Sequence, residues 1–140
     1  MEQEQDIRWQ QRYANYHKAC QRLIAVTESG MTVEDLSELE QEGIVQRFEY
    51  TFELAWKVMQ DLLTYKGYEF MSGPTGTMKM AFEDGLISDH DGWRQMAKSR
   101  NTLSHVYDEE EAMAIVRLIF SQYAPLLKAL DEKLSQFLQE

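Results

Sequence analysis

Apolar residues recur at three- and four-residue steps along almost all of this 140-residue chain, and no segment shows the two-residue alternation of a half-buried strand. That periodicity restricts the fold to helices packed on helices. A first helix is expected over residues 3–27, with Tyr13, Tyr16, Cys20, Leu23, Ile24 and Thr27 on one face and Ser29-Gly30 ending it. Thr32 to Asp35 resembles a capping box with Asp in place of Glu, and predicts the opening of the next helical region. Ile44, Phe48, Phe52, Ala55, Trp56, Met59, Leu62 and Leu63 form a continuous stripe over 44–63, which Gly67 stops. The turn Ser72-Gly73-Pro74-Thr75-Gly76 leads into a short helix over 75–84, ended by Gly85. Asp89 or Asp91 is the expected N-cap of a helix over 91–105. Asp108 to Glu111 put negative charge on the first turn of a last long helix, where the macrodipole favours it. Its stripe runs from Ala112 to Phe137, and Pro125 inside it predicts a kink. The expected fold is all-α, with three long helices and one or two short ones in an up-and-down bundle.

A chain of 140 residues is expected to form one domain over 1–140 and to bury a core without staples. The lone Cys20 fits a reducing compartment, hence the cytoplasm, and its place on the stripe predicts a small core residue. Met1 to Asp6 carry neither a basic region nor an apolar run, so no secretory signal is expected. The longest apolar run is about five residues, so no membrane role is expected. The net charge is −10, from 14 basic and 24 acidic residues, which argues against general coating of nucleic acid or anionic membranes. The acids concentrate in the first six residues, in 34–42 and in 108–111. Residues 92–107 hold three basic residues and no acid, so a single cleft for nucleic acid stays open.

Several segments suggest chemistry that their spacing does not support. Ser72 to Lys79 is glycine-rich but lacks a P-loop's Gly-Lys-Ser/Thr end and its preceding strand. Asp89-His90-Asp91 are adjacent and cannot all face one ion, so a capped turn is expected and no metal is assigned. His17 is a lone histidine on a helix. Glu49, Glu53, Lys57 and Asp61 recur at four-residue steps, with Glu53 and Lys57 spaced as a favourable i,i+4 pair. They form either a solvated face or the polar lining of a groove.

The segment Arg94 to Tyr107 is the most unusual. It presents Arg100, Asn101, Ser104, His105 and Tyr107 within eight residues. A histidine can move protons at neutral pH, and an arginine can stabilise charge on phosphoryl oxygens. With RNA the nucleophile would be the substrate's own 2′-hydroxyl. Arg100 and His105 are about 140° apart on an ideal helix, whereas Asn101 and His105 share a face. Arg100 and His105 therefore converge only if the helix distorts or ends between them, or if a two-fold copy joins them.

Three runs in order, Phe48 to Lys57, Ala81 to Ile87 with Trp93, and Arg100 to Tyr107, resemble the nucleotidyltransferase substrate-binding protein family of the HEPN superfamily. The resemblance runs from about Tyr13 to Phe137. It implies a four- to five-helix bundle, a homodimer and a separate minimal nucleotidyltransferase as partner. It also implies a toxin–antitoxin pair in which this subunit is a metal-independent ribonuclease without a cofactor. The family pattern Arg-x4-His-x-Tyr falls on Arg100, His105 and Tyr107: the first two catalytic, the third the acceptor of AMP from the transferase. Asn101 and Ser104 would be supporting polar groups, and Arg94 and Lys98 would supply phosphate contacts with Arg100. The rival reading is a non-catalytic subunit that holds a substrate or nucleotide for the transferase in a groove of Glu53, Lys57, Arg94 and Lys98. A third is an acidic scaffold for a basic partner.

Overall fold

The computed structural model describes residues 2–105 and 108–138, with side chains from Arg8 onward. Helix α1 spans Glu2–Thr27, α2 Glu38–Tyr65, α3 Pro74–Asp84, α4 His90–Leu103, α5 Glu109–Leu118 and α6 Ala124–Leu138. A single 3₁₀ turn, Val33–Asp35, lies between α1 and α2. No strand occurs among the described residues, so the chain is an all-α bundle, as its periodicity predicts.

The second long helix opens at a different signal from the one expected. Thr32 heads only the 3₁₀ turn, and its hydroxyl donates to the Asp35 carboxylate (2.6 Å) instead of capping. Helix α2 begins after Ser37, whose hydroxyl accepts from the Glu40 amide (3.1 Å) while the Glu40 carboxylate accepts from the Ser37 amide (2.9 Å). This reciprocal box satisfies two otherwise orphaned donors. Only glycine fits at 76, inside the first turn of α3, where a Cβ would lie 2.0 Å from the Met71 carbonyl oxygen. Gly85 ends α3 in the left-handed region, φ 88°, which side chains disfavour.

Helices α1 and α2 run antiparallel, with Arg12 paired to Asp61 near one end and the Arg47 guanidinium on the Arg22 carbonyl near the other. Helix α6 packs antiparallel to α1: the Tyr16 hydroxyl donates to the Leu127 carbonyl (2.6 Å) and the Tyr13 hydroxyl to that of Asp131 (3.3 Å). One continuous core joins Trp9, Tyr16 and Leu23 of α1, Phe48, Phe52 and Met59 of α2, Met78 of α3, Trp93 and Met96 of α4, and Leu127 and Leu134 of α6. The stretch 109–138 is long and apolar enough by composition to cross a membrane, unlike the short runs read from sequence. Its stripe is nevertheless the core of the bundle, since Val116, Ile119, Tyr123, Leu127 and Leu134 are all buried.

Pro125 enters this helix through a wider π turn at Ile119–Tyr123. The Ala124 amide bonds back to the Ile119 carbonyl, an i→i−5 step, and the Ser121 hydroxyl caps the Arg117 carbonyl (2.9 Å). Ile115, Ile119, Tyr123 and Leu127 are spaced by fours, which on an ideal α-helix drifts about 40° per step. The wider turn absorbs that drift, and all four are buried.

Candidate functional site

Helix α4 carries most of the basic segment. Its N-terminus is fixed by Asp89, whose carboxylate accepts from the Gly92 amide (2.9 Å). His90 stacks on Phe82, 5.2 Å between centroids, and Asp91 lies 3.9 Å from Arg94. The three side chains thus have three different neighbours. Trp93, Met96 and Ser99 face the core, with Trp93 against Phe52 and the Ser99 hydroxyl 2.6 Å from that of Tyr123. Tyr123 in turn stacks on Phe48, 5.5 Å between centroids. The residue before Arg100 is therefore tied into the π turn.

Arg100 points from this anchored face toward α2. Its Nη2 donates to Glu53 Oε1 at 3.4 Å, and the other Glu53 oxygen accepts from Trp56 Nε1 at 2.6 Å. Both partners of the ion pair are about one-third exposed. The Arg100 Nε is buried and has no hydrogen-bond partner among the described residues. Most buried donors in folded proteins are paired, so an unpaired guanidinium nitrogen is unusual. Lys57 does not join Glu53 as the four-residue spacing predicts. Its ammonium instead lies 5.8 Å from the Trp56 ring centroid.

Helix α4 ends at Leu103, between Arg100 and His105. The constraint that holds them about 140° apart on an ideal helix therefore lapses. The His105 amide donates to the Thr102 carbonyl (2.9 Å), and the Ser104 hydroxyl to that of Asn101 (2.7 Å). Asn101, Ser104 and His105 are exposed, and the His105 ring makes no hydrogen bond among the described residues. Arg100 and His105 are likewise not joined to each other by a hydrogen bond among those residues. Tyr107 lies outside the described residues.

Arg94 and Lys98 are exposed and share a stripe with Asn101, whereas Arg100 projects about 100–160° around the helix from them. Rotation about α4 thus sets Arg94 and Lys98 on its exposed stripe, while Arg100 turns to Glu53 of α2. A groove of about 490 Å³ runs between the start of α2 and the start of α5. Glu38, Glu42, Glu49, Asp108 and Glu109 line it, and those carboxylates would repel a phosphate.

Sequence reasoning also missed a partly buried polar pair. His17 Nδ1 lies 2.9 Å from both oxygens of Asp131, a mostly buried carboxylate. Nothing in the local sequence links residues so far apart.

A family model described as nucleotidyltransferase substrate binding protein like matches residues 11–136. The chain is similar to a Haemophilus influenzae protein named Probable ribonuclease HepT, with 34% identity over 77 residues. That match spans about half of each chain, 52% of this one and 53% of the relative. A Thermus thermophilus protein of known crystal structure is also 34% identical, with a TM-score of 0.72 over 82% of this chain and 94% of its own. Because the family match runs from α1 into α6 and takes in both Arg100 and His105, the chain belongs to the nucleotidyltransferase substrate-binding protein family, within the HEPN superfamily.

Proposed function

We propose that this chain is the ribonuclease subunit of a pair formed with a minimal nucleotidyltransferase, and that Arg100 and His105 cleave RNA without a metal ion. The observation that carries this reading is the state of Arg100. It is anchored through Ser99, held by one long ion pair, and left with a buried Nε that no described residue satisfies. A phosphodiester offers oxygen acceptors to the part of the Arg100 guanidinium that stays exposed, in competition with Glu53. The name of the Haemophilus influenzae relative points to the same activity.

The chemistry balances with the substrate's own nucleophile. The neutral His105 imidazole takes the 2′-hydroxyl proton, the 2′-oxygen attacks phosphorus, and the P–O5′ bond breaks. An imidazolium returns a proton to the departing 5′-oxygen. The products are a 2′,3′-cyclic phosphate and a 5′-hydroxyl. Arg100 stabilises the charge that grows on the non-bridging oxygens. Asn101 and Ser104 border the turn that carries His105. A homodimer would place a second copy of the segment at the same cleft, so that one imidazole accepts a proton while the other donates. AMP on Tyr107, two residues from His105, would add a negative phosphodiester there and oppose substrate binding. That modification by the transferase would make the pair a toxin and its antitoxin.

The test is cleavage of RNA by purified protein in the presence of a chelator. Wild type should yield 2′,3′-cyclic ends, and His105→Ala should lose about 10²–10⁴-fold in rate. Equal rates would remove His105 from the chemistry. A mass increase on Tyr107 after co-expression with the transferase tests the control step.

A further inference from the structure

Residues 7–27 contain Arg8, Arg12, Lys18 and Arg22 and no acid, in a chain with 24 acidic residues. Arg12 is neutralised by Asp61. Lys18 and Arg22 instead line a groove of about 230 Å³ between α1 and α2, together with Arg47 and Tyr50 of α2. Among the described residues, none of these three cations has a carboxylate within ion-pair distance, whereas Lys66, Arg117 and Lys128 each do. The Arg47 guanidinium is braced on the Arg22 carbonyl (3.4 Å), which sets it across the gap between the helices. The Tyr50 ring beside it is 59% exposed, unusual for a large aromatic side chain. No acid occurs three or four residues away from any of the three cations on its own helix.

The groove ends short of Glu53, the residue farther along α2 that holds Arg100. Arg47, Tyr50 and Glu53 follow at three-residue steps, each rotated about 60° around α2 and advanced about 4.5 Å along it. From Arg47 to the Glu53 that holds Arg100 is therefore about 9 Å along the axis and about 120° around it, so a strand joining the two must wind across α2. A positive groove with an exposed aromatic at its edge is what a single nucleic-acid strand needs: cations for successive phosphates and a ring for one base. An acidic protein requires such a local track, because its remaining surface repels the strand.

We propose that the α1–α2 groove, through Lys18, Arg22, Arg47 and Tyr50, binds the backbone and one base of single-stranded RNA leading to Arg100. The proposal rests on the ribonuclease reading for the strand's destination, but its binding arm does not depend on cleavage. The first measurement is fluorescence anisotropy of a labelled 12-nucleotide RNA with the full chain carrying His105→Ala, across a salt series. Replacing Lys18, Arg22 and Arg47 together by Gln should weaken binding at least tenfold and lower the log–log salt slope by about 2, since each single-strand phosphate contact contributes about 0.7. Tyr50→Ala should weaken binding by about tenfold and Tyr50→Phe should not. All four side chains are exposed, and helicity by circular dichroism confirms that each variant is folded.

The second measurement is cleavage with His105 intact. The triple variant should show a raised KM on the 12-mer and an unchanged rate on a dinucleotide too short to reach the groove. Groove-dependent binding without cleavage by any variant would retain the track and overturn the assignment of Arg100 and His105. Undiminished binding by the triple variant, or none by wild type, overturns the track. A poly-aspartate peptide that competes as well as the oligonucleotide does overturns RNA as its occupant.

Discussion

The hydroxyl of Ser99 on α4 lies 2.6 Å from that of Tyr123 in the π turn, in a buried position. The other acceptor within reach of Tyr123 is the Gln95 carbonyl, at 3.4 Å. Burial raises the Tyr123 hydroxyl above its ordinary pKa, and the Ser99 bond partly offsets this. The pair fixes the rotation of α4 one residue before Arg100. Ser99→Ala should cost about 1 kcal/mol, because it leaves the buried Tyr123 hydroxyl only the long bond to the Gln95 carbonyl. Adding Tyr123→Phe should recover part of that loss. A double-mutant cycle in urea measures the coupling, and strictly additive costs would mean that the bond contributes nothing.

Glu53 neutralises Arg100 in the free chain and would compete with a phosphate for it. Glu53→Gln keeps an acceptor for Trp56 but removes the charge. Stability should change by less than about 1 kcal/mol, since the pair is partly exposed. Affinity for a short RNA should rise severalfold, as read by anisotropy in a cleavage-deficient background. A fall would show that Glu53 aims Arg100 at its ligand.

The contact between His17 and Asp131 closes α1 onto α6. His17→Ala leaves a mostly buried carboxylate without its partner and should cost about 1–3 kcal/mol in denaturant unfolding. Asp131→Asn retains a hydrogen-bonding group and should cost less. The reverse order would mean that His17 acts mainly through packing.

Burial, and secondarily the charge of Asp131, pushes the Cys20 thiol from near 9 up to about 12. The unfolded chain therefore releases this proton at lower pH than the folded one. Cys20 contributes its full stability below about pH 9, and that contribution falls as pH rises toward 12. The stability gap between wild type and Cys20→Ala should be constant from about pH 7 to 8.5 and narrow above about pH 9. Denaturant titrations at each pH measure this gap.

Periodicity revealed the helices and most of their ends, because a buried face at 3.6-residue spacing is a local property of the chain. Asp89 behaves as the N-cap its position suggests, whereas Asp108, expected within the first turn of the last helix, caps it instead. Ser37-Glu38-Leu39-Glu40 also carries a legible box, yet Thr32 to Asp35 competes for the same role with similar residues. Partner choice was not legible. Glu53 has a lysine one turn away, but the fold brings it an arginine from 47 residues along and an indole from its own helix. The tie between Ser99 and Tyr123 was hidden for the same reason, since tertiary packing alone decides which faces meet. The motif residues were visible in sequence. That Arg100 turns inward while Arg94 and Lys98 stay on the opposite side of α4 follows from rotation about the helix, which a list of nearby basic residues conceals.

The π turn at Ile119–Tyr123 acts as a phase setter between two halves of one long helix. Beyond it, Leu127, Leu130 and Leu134 are registered against the core. Before it, α5 rises from Asp108, only three residues after His105. Deleting one residue from this turn would restore ordinary α geometry with the buried stripe still in phase, whereas winding the same residues as an ordinary α-helix would rotate α5 by about 100° relative to α6. The bundle would then keep its packing at one end while the chain leaving His105 set out in the wrong direction. A single inserted residue, more than a dozen positions from the motif, thus decides where the His105 turn begins its exit.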